Sequence, residues 1–480
     1  MNQYSKQYNR KKLIFIVFIT LISSSCKKDF LDVVPIDRVA KDNFFKTESD
    51  LRIAVNGVYA AQRSLYSDGS WYVLEEARSD NTTQNVADQA ERVAPESFTD
   101  DAGNLLVLTI YTQMYDIINL CNAIIGRAPG ATGDKAAIDR IVGEARFLRA
   151  ATYFQLVQDW GKVPLKVTES LDFSNVIQPR ATVPEIYNFI VSEFTAAASV
   201  LPHVYDGTAG NEIGRASWGA AMGLLGKVQL QQGKKAEAAA ALQEVVNSNL
   251  YSLLPDYADF WKPENKNTKE SLYEIQFEPA NQTGSPYTSS LIPSAEANAL
   301  GIVAGGNAFA IRPTADMVNA YEPGDKRKGA SLAIDSTGLP YIIKFLDLQT
   351  ASSGARNDFP VLRYADVLLL LAEAKGESTE AYELINQVRN RSGLPDIDAS
   401  TPGTFIEKVQ HERRVELAFE AQRWHDLLRL APTETIAIMN AQLTIQFGRS
   451  IQLSEKNLLY PLPIAEIETS NGIIDQNPGY

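Results

Sequence analysis

The chain has 480 residues, with 45 Lys and Arg against 58 Asp and Glu, a formal net charge of -13, two cysteines and three histidines. The acidic balance argues against nucleic acid as a partner, because a polyanion rewards basic surfaces, and equally against a polybasic membrane patch. Cys26 and Cys121 are the only cysteines, and His203, His411 and His425 lie scattered without H-E-x-x-H spacing, so neither a metal site nor a cofactor is expected.

Arg10, Lys11 and Lys12 precede Leu13 to Ile22, in which only Thr20 is polar, the charged and apolar regions of a signal peptide. Ten helical residues reach about 15 Å, against about 30 Å of bilayer hydrocarbon, so the segment is too short to span. Ser23, Ser24 and Ser25 lead into Cys26, and the expected cut falls before the cysteine, giving a signal peptide over 1–25 and a body over 26–480. The junction resembles a bacterial lipoprotein signal, with Ser23 where that pattern usually has leucine. Cys26 is then the lipidated residue, and two or more acyl chains at about 0.8 kcal/mol per buried CH₂ make a lasting anchor. No later segment carries the roughly 18 uninterrupted apolar residues of a membrane helix. With Cys26 lipidated, Cys121 has no intramolecular disulfide partner.

Helical patterning dominates the body. From Ala137 to Trp160, Ile138, Ile141, Val142, Ala145, Leu148 and Thr152 form a stripe at three- and four-residue steps, stopped by Gly161 and Pro164. A further helix is expected over 182–202. The segments 224–246 and 368–389 repeat a helix-turn-helix plan: with Gly233 set on Gly376, Ala238 falls on Ala381, Leu242 on Ile385 and Val245 on Val388. Small residues at such positions let paired helices approach, as in tetratricopeptide-type stacks. The fold class expected is mainly α, a tetratricopeptide-like helix-pair scaffold carrying long irregular loops and little strand. The loops are 66–104 and 279–312, rich in Gly, Ser, Thr, Asn, Asp and Pro, and loops of that length are usually functional or disordered. Pro461 and Pro463 exclude a regular helix in their stretch.

Familiar catalytic signatures are missing. "GRASWG" at 214–219 lacks the G-x-S-x-G spacing of a nucleophile elbow, and "GLLGKV" at 223–228 lacks the first glycine and the hydroxyl residue of a P-loop. A carboxylate pair for glycoside hydrolysis is not excluded among so many acids, so a surface glycosidase stays open beside a binding protein.

Four ordered motifs, "EARFLRAATYFQLVQDWGKVPL" at 144–165, "FPVLRYADVLLLLAEAK" at 359–375, "HERRVELAFEAQRWHDLLRL" at 411–430 and "YPLPIAEIETSNGIIDQNPGY" at 460–480, resemble the SusD/RagB family. The resemblance runs from "CKKDFLDVVP" to the last residue. It implies a surface-exposed outer-membrane lipoprotein that is not an enzyme, binds an oligosaccharide or other glycan, and covers a SusC-like TonB-dependent transporter. Peptide or protein binding on the same scaffold is the alternative. The charged residues Glu412, Arg413, Arg414, Glu416, Glu420, Arg423, Asp426 and Arg429 recur at three- or four-residue spacing along one expected helix, which reads as structural pairing. Ligand binding is expected in the two loops, since a sugar wants an aromatic face and polar groups at its rim. Trp71, Tyr72, Asp80 and Asn81 supply these in the first loop, and Tyr287, the ring expected to be exposed, and Arg312 in the second.

Overall fold

A computed structural model describes residues 44–84, 90–170, 177–208, 212–281, 283–302, 309–349, 354–448 and 452–480. Cys26 and the signal segment lie outside the described residues. Among the described residues nine helices build the scaffold in chain order: Glu48–Ser67, Leu105–Arg127, Lys135–Trp160, Val183–Ala198, Trp218–Gln231, Lys235–Asn247, Tyr364–Lys375, Thr379–Arg391 and Phe405–Glu416. Each packs on its neighbours in that sequence, and Tyr364–Lys375 closes against Lys235–Asn247 across more than a hundred intervening residues. Among the described residues no helix is long and apolar enough to cross a membrane.

The repeat seen in the sequence is real in space. Gly233 and Gly376 both turn the chain with positive φ (72° and 70°), a conformation that glycine adopts without steric cost. Ala238, Leu242 and Val245 of one pair, and Ala381, Ile385 and Val388 of the other, are all fully buried. Close approach is set by Gly226, where an added Cβ would lie 2.5 Å from Leu242 Cγ. Helix Lys135–Trp160 is buried well beyond the expected stripe, from Ile141 to Trp160, because helices pack against it from several sides. The 182–202 expectation shortens to Val183–Ala198, with Thr182 and Glu185 forming a capping box.

Among the described residues strand is sparse: three two-stranded antiparallel ladders join Thr82–Gln84 to Ile311–Pro313, Ser271–Ile275 to Phe359–Arg363, and Leu332–Ile334 to Pro340–Ile342. The two long loops are less irregular than expected. They contain the short helices Gly69–Glu76, Ala90–Ser97, Tyr287–Leu291 and Ser294–Ala299. The C-terminal stretch serves as a strap, since Asn477 Nδ2 donates to the carbonyls of Trp160 (3.0 Å) and Tyr460 (2.8 Å), and Trp160 Nε1 donates to Pro461 O (3.1 Å).

The 411–430 motif departs from one continuous helix. It splits into Phe405–Glu416 and Arg423–Leu427 around a turn in which Phe419 and Ala421 take φ of 67° and 56°, values uncommon for non-glycine residues. Most partners of its charges therefore come from other elements. Arg413 binds Asp366 (2.6 Å) as well as Asp426, and Arg429 binds Glu373 (2.7 Å).

Candidate functional site

The two loop regions meet. Thr82–Gln84 pairs with Ile311–Pro313 so that Thr83 faces Arg312, and Thr314 fastens the junction by donating from N to Asn81 O and from Oγ1 to Asp80 O, both at 2.9 Å. Arg312 is partly exposed there and donates from Nη1 to Asp335 Oδ2 (2.8 Å) and Pro340 O (3.2 Å). Beside it Gln446 Nε2 donates to Thr83 Oγ1 (2.6 Å), both side chains being half-buried. The junction thus presents a rim of hydrogen-bonding groups on a fixed backbone.

Beneath the rim the other expected ligand residues are buried. Tyr287 is 0% exposed, contrary to the expectation of a displayed ring. Its ring stacks on Phe359 at 4.8 Å, and its hydroxyl donates to Tyr66 O at 2.8 Å. The physical reason is Ser285, which bridges antiparallel to Ala355 and turns the polar segment inward. Tyr72 is equally buried and donates to Phe419 O (2.9 Å). Asp80 and Asn81 are clamps between the loop and the charged motif: Arg423 grips Asp80 at 2.7 and 2.9 Å, and Arg414 Nε donates to Asn81 Oδ1 at 2.8 Å. Burial alone would raise the Asp80 carboxyl, but the guanidiniums of Arg423 and Arg414 overcome it and hold the group at about 2. Trp71 is also buried, under Tyr66 at 3.9 Å between ring centroids.

Trp71 does line a cavity of about 60 Å³, with Tyr66, Glu75, Phe154, Lys227 and His425 among its walls. That volume holds a few waters and is too small for a sugar ring, whereas ligand pockets run to several hundred Å³. Sequence reasoning missed Glu75 and His425 as neighbours, and no local signal joins residues so far apart in the chain. A groove of about 420 Å³ lies elsewhere, lined by Tyr205, Arg215, Asn249 and Tyr251 among others, with His203 stacked on Trp218 at 4.3 Å beside it.

Glu96 holds the junction strand from below, accepting the backbone N–H of Gln84 at 2.9 Å, while its Oε1 has no partner among the described residues. Burial pushes this carboxyl up to about 7. Its folded-state value lies above the ordinary one, so its contribution to stability is complete below about pH 4.5 and disappears as pH rises through 7, a loss of about 3 kcal/mol. The melting temperature is therefore expected to fall between pH 5 and pH 8, and Glu96→Gln, which keeps an acceptor for Gln84, should flatten that fall. An unchanged slope in the variant would acquit Glu96.

This arrangement, a stack of helix pairs bearing two extended loop segments pinned to each other on its surface, defines a scaffold that presents a recognition surface. Residues 324–480 match the family described as "SusD family", and residues 29–230 match the one described as "Starch-binding associating with outer membrane". The chain belongs to the SusD/RagB family. It is similar along its length to SusD-like protein P25 of Formosa agariphila, at 27% identity over 98% of this chain and 99% of that one. A SusD-like protein of Bacteroides ovatus is 24% identical over 91% of this chain and 86% of its own. A solved structure named as a laminarin-binding SusD-like protein superposes with a TM-score of 0.76 at 26% identity, covering 91% of this chain and all of that one. Surface glycan-binding protein A from Bacteroides thetaiotaomicron, solved with laminarihexaose, shares the fold at a TM-score of 0.76 and 19% identity, over 90% of this chain and 100% of that one.

Proposed function

We propose that the protein is a glycan-binding lipoprotein of the outer membrane, anchored through Cys26 and facing outward, which captures oligosaccharides and delivers them to a SusC-like TonB-dependent transporter without cleaving them. The observation that carries this reading is similarity across 91% of the chain to a laminarin-binding relative, joined to the starch-binding, outer-membrane description of the family matched at 29–230. A tether to the same membrane raises the effective concentration of a capture protein at the pore.

The glycan contacts belong to the loop junction, where Arg312, Thr83 and Gln446 supply donors at a sugar's hydroxyl rim. Tyr287, Tyr72, Asp80 and Asn81 support that surface from below. Laminarin oligosaccharides are the first ligands to titrate. Arg312→Ala is expected to weaken binding about tenfold, the loss of one charge-assisted hydrogen bond, with little change in melting temperature. Unchanged affinity in Arg312→Ala together with loss in Tyr251→Ala would move the site to the larger groove.

A further inference from the structure

Two helix ends and the middle of a third helix converge beside the cavity, whose walls include Glu75 and His425. Glu75 is the penultimate residue of Gly69–Glu76, Asp159 that of Lys135–Trp160, and His425 the centre of Arg423–Leu427. All three side chains are buried. One ligand atom from each lies within 4.8 Å of the other two. His425 Nε2 is 2.7 Å from Glu75 Oε2 and 4.0 Å from Asp159 Oδ1.

We propose that Glu75, Asp159 and His425 form a binding site for a first-row divalent cation of the Zn²⁺ type, with cavity water completing its coordination.

Charge is the first argument. Two carboxylates set side by side away from water cost several kcal/mol each unless they share a proton or a cation answers them, and the nearby cations are engaged elsewhere. Lys227 Nζ donates to Asp366 Oδ2 (2.9 Å) and to Gln422 Oε1, while Arg78 donates to Asp100 Oδ2 and Asn457 O, both at 2.7 Å. A divalent ion matches the charge of the pair. Donor type is the second argument, for one imidazole nitrogen with two carboxylate oxygens suits zinc and its neighbours, whereas calcium and magnesium take all-oxygen shells. Spacing is the third: ligands at about 2.1 Å from a tetrahedral ion stand about 3.4 Å apart, within the range the three atoms already occupy.

The cavity supplies the rest of the shell. Its volume of about 60 Å³ admits water. Trp71 Nε1 and His425 Nδ1, on two residues lining the same cavity, are buried polar atoms with no partner among the described residues. An indole N–H offers a hydrogen bond to a metal-bound water, and water on Nδ1 would fix the imidazole orientation as outer-shell partners of ligating histidines do. Such an ion would fasten the first loop region and the longest scaffold helix to the C-terminal charged motif.

The test uses the purified protein, stripped with chelator and dialysed against Zn²⁺, with metal content and melting temperature as readouts. Wild type is expected to retain one zinc per chain and to melt a few degrees higher with zinc at a hundredfold excess over Kd. Asp159→Asn and His425→Gln should lose both the zinc and the shift. A wild type that retains no zinc, or variants that retain it as wild type does, overturns the proposal. Should a variant fail to fold, Co²⁺ titration of wild type replaces it: visible bands saturating at one equivalent and erased by Zn²⁺ support the site, and their absence overturns it.

Discussion

Glu416→Ala is expected to destabilise the protein by about 3 to 5 kcal/mol, the usual result of removing one partner from a buried ion network. Three guanidiniums meet this carboxylate: Arg363 at 2.5 Å, Arg327 at 3.1 Å, and Arg391. Burial alone would raise the Glu416 carboxyl, yet Arg391, Arg363 and Arg327 together hold it well below the usual range. The same arginines reach Glu270, Glu412 and Glu420, so the network ties the Ser271–Ile275 and Phe359–Arg363 ladder to the charged motif. Deleting Glu416 leaves three buried guanidiniums without the carboxylate they share. Denaturant unfolding measures the loss, and the exposed pair of Lys135 with Asp139 is the control, where Lys135→Ala should change stability by no more than about 0.5 kcal/mol. Equal small effects at both sites would show that burial adds nothing to this network.

Tyr287→Ala should cost a comparable 3 to 5 kcal/mol. The ring is enclosed by Tyr72, Phe277, Phe309, Phe345 and Phe359, so truncation removes contacts on several sides at once. Tyr287→Phe keeps that packing and loses only the hydrogen bond to Tyr66 O, at about 1 kcal/mol. Thermal and denaturant unfolding of the pair separates packing from hydrogen bonding. Glycan affinity per folded molecule should be unchanged in Tyr287→Phe. A large loss of affinity in that variant at wild-type stability would return Tyr287 to the binding surface.

Local periodicity carried the scaffold. The Ala137–Trp160 stripe and the Gly233 and Gly376 turns were legible because a helix pair stores its pattern in residues a few positions apart. The site was less legible, since what buries Tyr287 is chain from elsewhere, namely Phe345, Phe359 and the bridge from Ser285 to Ala355. A polar, glycine-bearing neighbourhood gives no sign of such partners. The charged motif misleads in the same way, for three-residue spacing suggests pairing along one helix, whereas Arg363, Arg391 and Asp366 arrive from distant segments. Glu75, Asp159 and His425 are the extreme case, brought together by the fold without spacing of any kind. The two loop regions do meet, through strands that pair at Thr83 and Arg312, a contact that no local pattern announces.

The central claim is glycan capture, and the most direct measurement is binding of the purified protein to paired glycan and peptide arrays that include laminarin and starch oligosaccharides. The account predicts retention on one structurally related set of oligosaccharides, reduced in Arg312→Ala. Retention on peptides with none on any oligosaccharide would contradict it.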